Sequence, residues 1–394
     1  MFKKIGGLFS RNWYKIIFGL LFLAIFAFLY LYRLGSFVRG DSIYETTKYL
    51  GINGIEAILQ NISLAPIKVL ELIMVKIDEP NSTLIRLVSV FVTLISLIVF
   101  YRLILKWETH RIAMLSTLMF ASSALSLNLG RFSSQEVIYF LVIPSLLLMG
   151  TWLKSKKYVK RLIYILPTCA ILIYLPGFLL FSILLLTFFR KRLALAWKFT
   201  SRKMKISGSL TAVLILTPLA FALASYPSQI FKVLGIDRLT EISAREVLDK
   251  FLTIPNELFW DGLNQPHLWL SGTPVFDVVA LIFATIGFYS YFKSDHTLRA
   301  RLILGLLLVS VITVSLSTVA SIVLVIPIVY LYIAKGLSFM LQNWFVVFPR
   351  NPAARNLGVI LLFIPVFLSV GYNVEKYFVA WHDSPETAQA LSNN

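Results

Sequence analysis

Between Arg86 and Arg102 the chain carries fifteen residues without a charge, and uncharged, predominantly apolar runs of this kind recur along nearly its whole length. A helix needs about 20 such residues to cross a bilayer, and inside the hydrocarbon every backbone N–H and C=O must be satisfied within the segment itself. Candidate spans fall at 13–32, 84–105, 112–129, 137–153, 162–175, 177–189, 207–225, 275–292, 302–316, 319–334 and 357–372, about eleven in all. The composition agrees: of 394 residues 58% are hydrophobic and 14% charged, with a mean hydropathy of +0.80, which excludes a soluble globular protein. The reading is an all-α polytopic bundle forming a single transmembrane domain over 1–394.

The first run follows Met1-Phe2-Lys3-Lys4 and Arg11. It reads as a retained helix, because it is too long for a signal-peptide core and Tyr32-Arg33-Leu34-Gly35 lacks the chemistry of a cleavage site. Runs 162–175 and 177–189 flank Pro176 and read as two short helices joined by an outer turn, since basic clusters on both sides require the same face. With the N-terminus inside, the inner segments hold 25 of the chain's 37 basic residues and only two acids, Glu108 and Asp295. The inner side is then +23 and the outer side −5, the bias expected of cytoplasmic loops. This orientation puts the N-terminus in the cytoplasm, the C-terminus outside and the chain in the plasma membrane. The overall charge of +18 is thereby assigned to anionic lipid headgroups on the cytoplasmic side, and no nucleic acid is implied.

Two external loops, 35–83 and 227–274, are long enough to hold a site, and an external, partly disordered tail follows at 373–394. In the first loop Ile55 to Leu59 and Ile67 to Ile77 place apolar residues at helical spacing, with Lys68, Glu71 and Lys76 interleaved and Pro66 near the helix start. Such amphipathic helices lie in the membrane interface. In the second, Glu241 with Arg245 and Glu246 with Lys250 stand four apart, the spacing of a solvated helix face.

Ionisable groups beside apolar spans mark the places where chemistry can sit. Arg39, Asp41 and Glu45 come just after the first span. Asp41 and Glu45 share a helix face, and either serves as a general base or, for Asp41 in Gly40-Asp41-Ser42, as a helix N-cap. Arg131 and Glu136 stand in the short turn between the third and fourth spans, as a phosphate clamp with an orienting carboxylate or as a pair that fixes the hairpin. Arg86, on the first turn of the second span, reads as an interfacial snorkel.

The order of these features resembles the GT-C glycosyltransferases, in the branch of protein O-mannosyltransferases and lipid A aminoarabinose transferases. The resemblance rests on an inner N-terminus, a long first external loop with acids near its start, Ile85-Arg86-Leu87-Val88-Ser89 opening the second span, and the turn Leu129-Gly130-Arg131-Phe132-Ser133-Ser134-Gln135-Glu136. It covers about residues 13–190. The chain departs from the family pattern with Val88 for proline, Glu136 for aspartate, Asp41 and Glu45 apart instead of adjacent, and the single Pro66. The resemblance implies a GT-C fold with amphipathic interfacial helices and inverting transfer of a sugar from a polyprenyl-phosphate carrier to a lipid, glycan or protein acceptor on the outer face. It makes Asp41 or Glu45 the base, Arg131 first and Lys68 second the phosphate ligands, with Arg39 and Glu136 beside them.

Without the resemblance, a transporter and a non-catalytic membrane scaffold stay open. A transporter core carries polar or broken helices near the bilayer midplane, and charge within these spans is sparse. There is no G-x-x-x-x-G-K-[ST] phosphate loop, no G-x-S-x-G turn and no H-E-x-x-H zinc site. A single cysteine, Cys169, and four scattered histidines give no thiolate or imidazole metal site. No cofactor is required, and a divalent cation on a shared carboxylate site stays open.

Overall fold

The computed structural model describes residues 21, 24–36, 54–77, 82–152, 162–238, 243–293 and 298–392, and every regular element among these is helical. Among them, six helices are long and apolar enough to cross a membrane: Thr83–Trp107, Gln135–Trp152, Arg202–Ser225, Leu298–Leu316, Ile322–Val347 and Pro352–Trp381. A seventh arises if His110–Ser122 and Ala124–Arg131, bent by 62° against each other, are counted as one span. At 1.5 Å per residue a 25-residue helix is about 37 Å long, more than the roughly 30 Å of hydrocarbon. Several long apolar helices make this an integral membrane protein.

In chain order the helices are α1 (24–31), α2 (Ile55–Gln60), α3 (Ala65–Ile77), α4 (Ser82–Trp107), α5 (His110–Ser122), α6 (Ala124–Arg131) and α7 (Tyr139–Trp152). Then follow α8 (Leu162–Leu172), α9 (Phe178–Phe199), α10 (Arg202–Ser225), α11 (Gln229–Leu234), α12 (Ala244–Phe259) and α13 (Val278–Lys293). The chain ends with α14 (Leu298–Leu316), α15 (Ile326–Val347), α16 (Pro352–Glu375) and α17 (Pro385–Ser392).

Local chemistry sets several boundaries. The third apolar run breaks at Ser123, whose hydroxyl accepts the Ser126 amide at 3.2 Å and caps α6. Ser243 caps α12 by accepting the Glu246 amide at 3.4 Å, and the Glu246 carboxylate takes the Ser243 hydroxyl in return. Two sequence readings are corrected here. Lys250 pairs with Glu257 at 2.7 Å and Glu246 belongs to the cap, so the Glu246–Lys250 pairing is not what the helix uses. The stretch 373–392 is largely helical: α16 continues to Glu375, a π-helical turn follows at Lys376–Trp381, and Tyr377, Trp381 and Leu391 are buried.

α15 is the enclosed post around which the bundle is built. Phe120 of α5 stacks on Tyr330 at 4.6 Å and meets Phe100 and Phe140 edge-on, each at 5.2 Å. Against α13 the contact is backbone to backbone: a Cβ on Gly287 would collide with the Tyr332 carbonyl, and one on Gly336 with the Phe283 carbonyl. Small residues at facing positions let helices approach closely where lipid leaves little hydrophobic drive between them. The helix also runs past Lys335, which sequence reading places at the start of an inner loop. Lys335 and Arg299 stand 3.7 and 3.8 Å from the Glu108 carboxylate, which also accepts the Ser338 hydroxyl, so the charge is neutralised within the helix packing.

A second, smaller core gathers Ile58, Ile62, Ala65, Leu72, Tyr174, Leu219, Ala222 and Val233 from α2, α3, α10, α11 and the turn after α8. α8 and α9 are separate helices joined through 173–177. Gly177 and Gly235 both hold left-handed backbone, at φ 76° and 72°, and a Cβ on Gly235 would lie 2.6 Å from the Gly177 nitrogen. Most of the apolar side chains of α10 face outward, including Leu214 and Phe221, as lipid-facing residues do.

Candidate functional site

Asp41, Glu45 and Arg39 lie outside the described residues, as does Glu241. Glu136 and, through α3, Lys68 lie where the turn 132–136 meets α3 and the loops 263–270 and 317–321, whereas Arg131 and Arg86 turn to the end of α1.

The turn leaves α6 with the Phe132 amide on the Asn128 carbonyl at 2.8 Å, and Ser134 caps a short 3-10 helix, Gln135–Ile138, by accepting the Glu136 amide at 3.3 Å. This winding presents Gln135 and Glu136 on neighbouring positions. The Glu136 carboxylate accepts the Ser321 hydroxyl at 2.6 Å, and Gln135 donates to the Glu71 carboxylate at 2.9 Å. Lys68, one turn before Glu71 on α3, donates to the Asn61 carbonyl at 2.7 Å. A polar line therefore runs Lys68, Glu71, Gln135, Glu136, Ser321. Beside it opens a cavity of about 330 Å³ lined by Leu64, Phe132, Gln135, Glu136, Gln265 and His267, among others. Asp237 fixes one wall, accepting both the amide, at 3.0 Å, and the hydroxyl of Thr318. Tyr139 fixes the same loop by donating to the Val319 carbonyl at 3.1 Å.

α3 buries the charged Lys68 and Glu71 together with Ala65, Ile67 and Leu72, while Val69, Leu70, Ile73 and Ile77 are exposed along with Lys76. A helix that turns a row of apolar side chains outward suits a bilayer edge.

The two arginines, read differently in the sequence, converge on the end of α1. Arg131 is 3% exposed, and its guanidinium donates to the carbonyls of Leu29 and Tyr32, each at 2.6 Å, while standing 4.8 Å over Phe378 and 5.4 Å over Tyr377. Arg86 is 2% exposed and donates to the Leu34 carbonyl at 2.5 Å, which corrects the interfacial snorkel. Both guanidinium groups thus cap the C-terminal end of α1, where the last carbonyls lack intrahelical partners and the dipole is negative. Glu136, the alternative partner weighed for Arg131 in a hairpin pair, is held by Ser321. The anchored stretch ends a few residues before Arg39 and Asp41, so the entry of the first loop is fixed beside the turn 132–136.

A second polar cluster closes the back of the 262–274 loop. Asp277 caps α13 through the Ala280 amide at 2.9 Å and accepts Ser369 and Asn373, each at 2.7 Å. Lys376 donates to the Pro274 carbonyl at 2.7 Å and stands 4.1 Å over Trp269. Sequence reading missed His267, which lines the cavity, and Gln135, Asp237, Asp277 and Ser321, whose partners lie far along the chain. Glu71, three residues after Lys68 on a mostly apolar helix, carried a local signal. Among the described residues no three of His, Cys, Asp and Glu gather where they could hold a metal ion, and the Glu71 and Glu136 carboxylates are engaged by Gln135 and Ser321.

No family model, curated protein or solved structure matches the chain.

Proposed function

We propose that this chain is a GT-C-type membrane glycosyltransferase of about eleven passes, with its N-terminus in the cytoplasm and its C-terminus outside the plasma membrane. It moves a sugar from a polyprenyl-phosphate carrier to a hydroxyl of a lipid, glycan or protein acceptor. The observation that carries this reading is the cavity of about 330 Å³ holding Glu136, Gln135 and His267 next to α3, which exposes Val69, Leu70, Ile73 and Ile77 and buries Lys68 and Glu71. A lipid-linked sugar requires that combination: a polar chamber for the sugar and phosphate, reached along an apolar flank by the polyprenyl chain.

In this mechanism Asp41 or Glu45 takes the proton of the acceptor hydroxyl as its oxygen attacks the anomeric carbon. The bond from that carbon to the phosphate oxygen breaks, and polyprenyl phosphate leaves with inversion. Lys68 and Arg39 steady the departing charge, and Glu136 orients a sugar or acceptor hydroxyl. Arg131 is a positioning residue here, holding the end of α1 and so the entry of the loop that carries the base. A non-catalytic scaffold is favoured by one observation, the engagement of Arg131 with backbone and aromatic rings.

The test is turnover of a panel of undecaprenyl-phosphate hexoses by the full chain in vesicles, read as release of free undecaprenyl phosphate. Asp41→Asn, Glu45→Gln and Glu136→Gln should each lower release, by on the order of a hundredfold or more for whichever of the first two is the base. If no donor on the panel is consumed or bound by the wild type, or if solute flux across the vesicle appears instead, the reading falls.

A further inference from the structure

Beyond the far end of the 22-residue α15, a helix about 33 Å long, a second cavity of about 440 Å³ opens where the 348–351 turn meets the first turn of α5. Arg111, Arg350 and Arg355 line it together with Asn356, and no carboxylate is among its lining residues. All three arginines are exposed, and Arg355 lies 4.5 Å over the Phe345 ring. Arg111 sits in the first turn of α5 and Arg355 in that of α16, so two helix N-termini add their partial positive charge to three guanidinium groups. Cations at a helix start are unfavourable alone, and an anion in their midst reverses that cost.

The cavity does not end in solvent. Val359 lines both it and an apolar groove of about 480 Å³ that continues along α16 past Ile360, Phe363, Ile364, Phe367 and Leu368. From Val359 to Leu368 the helix rises about 14 Å, close to half the hydrocarbon thickness and so to the depth of one leaflet. A free phosphate would use the arginines and leave the groove bare. An anionic phospholipid uses both.

We propose that Arg111, Arg350 and Arg355 hold the phosphate of an anionic glycerophospholipid whose acyl chain lies along Val359–Leu368 of α16. The site is independent of the transferase reading and sits at the opposite end of α15 from it. Basic pockets between membrane helices are where anionic headgroups dock, and three charges at the surface together change affinity by on the order of a hundredfold.

The test is titration of the purified full chain in neutral detergent with phosphatidylglycerol, phosphatidylcholine and inorganic phosphate, read by thermal stabilisation and by lipid retained in native mass spectrometry. Phosphatidylglycerol should bind at least about tenfold tighter than phosphatidylcholine, and millimolar phosphate should not displace it. The triple variant Arg111→Gln, Arg350→Gln, Arg355→Gln should lose on the order of a hundredfold in that affinity. Its unfolding temperature in phosphatidylcholine alone should match the wild type's. If the triple variant does not fold, Arg350→Gln alone, on the exposed turn, should lose about fivefold. Equal binding of both lipids, displacement by phosphate, or unchanged retention in the folded variants would overturn the proposal.

Discussion

Replacing Arg131 with methionine keeps most of the side chain's length and removes its charge and its donors. The wild-type guanidinium satisfies the carbonyls of Leu29 and Tyr32 and rests on Phe378. Each buried carbonyl left without a donor costs about 1–3 kcal/mol, and the lost cation–π contact costs about 1–2 kcal/mol. Against this stands the recovered desolvation of a buried cation, so a net loss of about 3 kcal/mol is expected. In a chain of 394 residues that lowers the unfolding temperature by roughly 3–5 °C. The assay is thermal unfolding in detergent, paired with limited proteolysis of the first loop, which should be cut faster once the end of α1 is loose. Arg131→Lys discriminates between roles. Lysine offers one point charge and cannot span two carbonyls while stacking, so its stability should fall between wild type and the methionine variant. Were Arg131 instead held for a phosphate, Arg131→Met would be as stable as wild type without ligand, and that result would sink the capping argument.

Two further outcomes follow from packing and charge. Gly336→Ala should separate α15 from α13, because its Cβ meets the Phe283 carbonyl; a loss of about 2–3 kcal/mol is expected, and an unchanged unfolding temperature would contradict the close approach. Glu108→Gln should destabilise the pairing with Arg299 and Lys335, and the difference from wild type should shrink as salt rises from 0.01 M to about 1 M, because Arg299 is partly open to solvent; a salt-independent difference would argue against an ionic origin.

The helical, membrane-embedded class was legible because fifteen uncharged residues in a row have few other solutions in a chain so poor in charge. Helix ends were less legible wherever a polar residue serves tertiary structure. Lys335 looks like the start of a loop until Glu108, more than two hundred residues away, is brought beside it. Ser123 breaks an apolar run through one hydroxyl, a signal too small to outweigh the surrounding hydropathy. Arg86 and Arg131 were visible as unusual charges, yet their partners are backbone carbonyls, which any sequence supplies and none advertises. Along the cavity and the helix beside it, Glu136 and Lys68 stand out in the sequence as charges near apolar runs, while His267 and Ser321 arrive from distant loops with no local pattern to mark them.

The smaller core around Tyr174, Leu219 and Ala222 packs as a cluster separate from the main one. α3 is stitched into both, with Ile67 in the main core and Ala65 and Leu72 in the lesser one. The same helix carries Glu71, which ties it to the turn 132–136 through Gln135. A substitution in the lesser core that shifts α3 is therefore felt at a bond beside the cavity, although no residue of that core lines it.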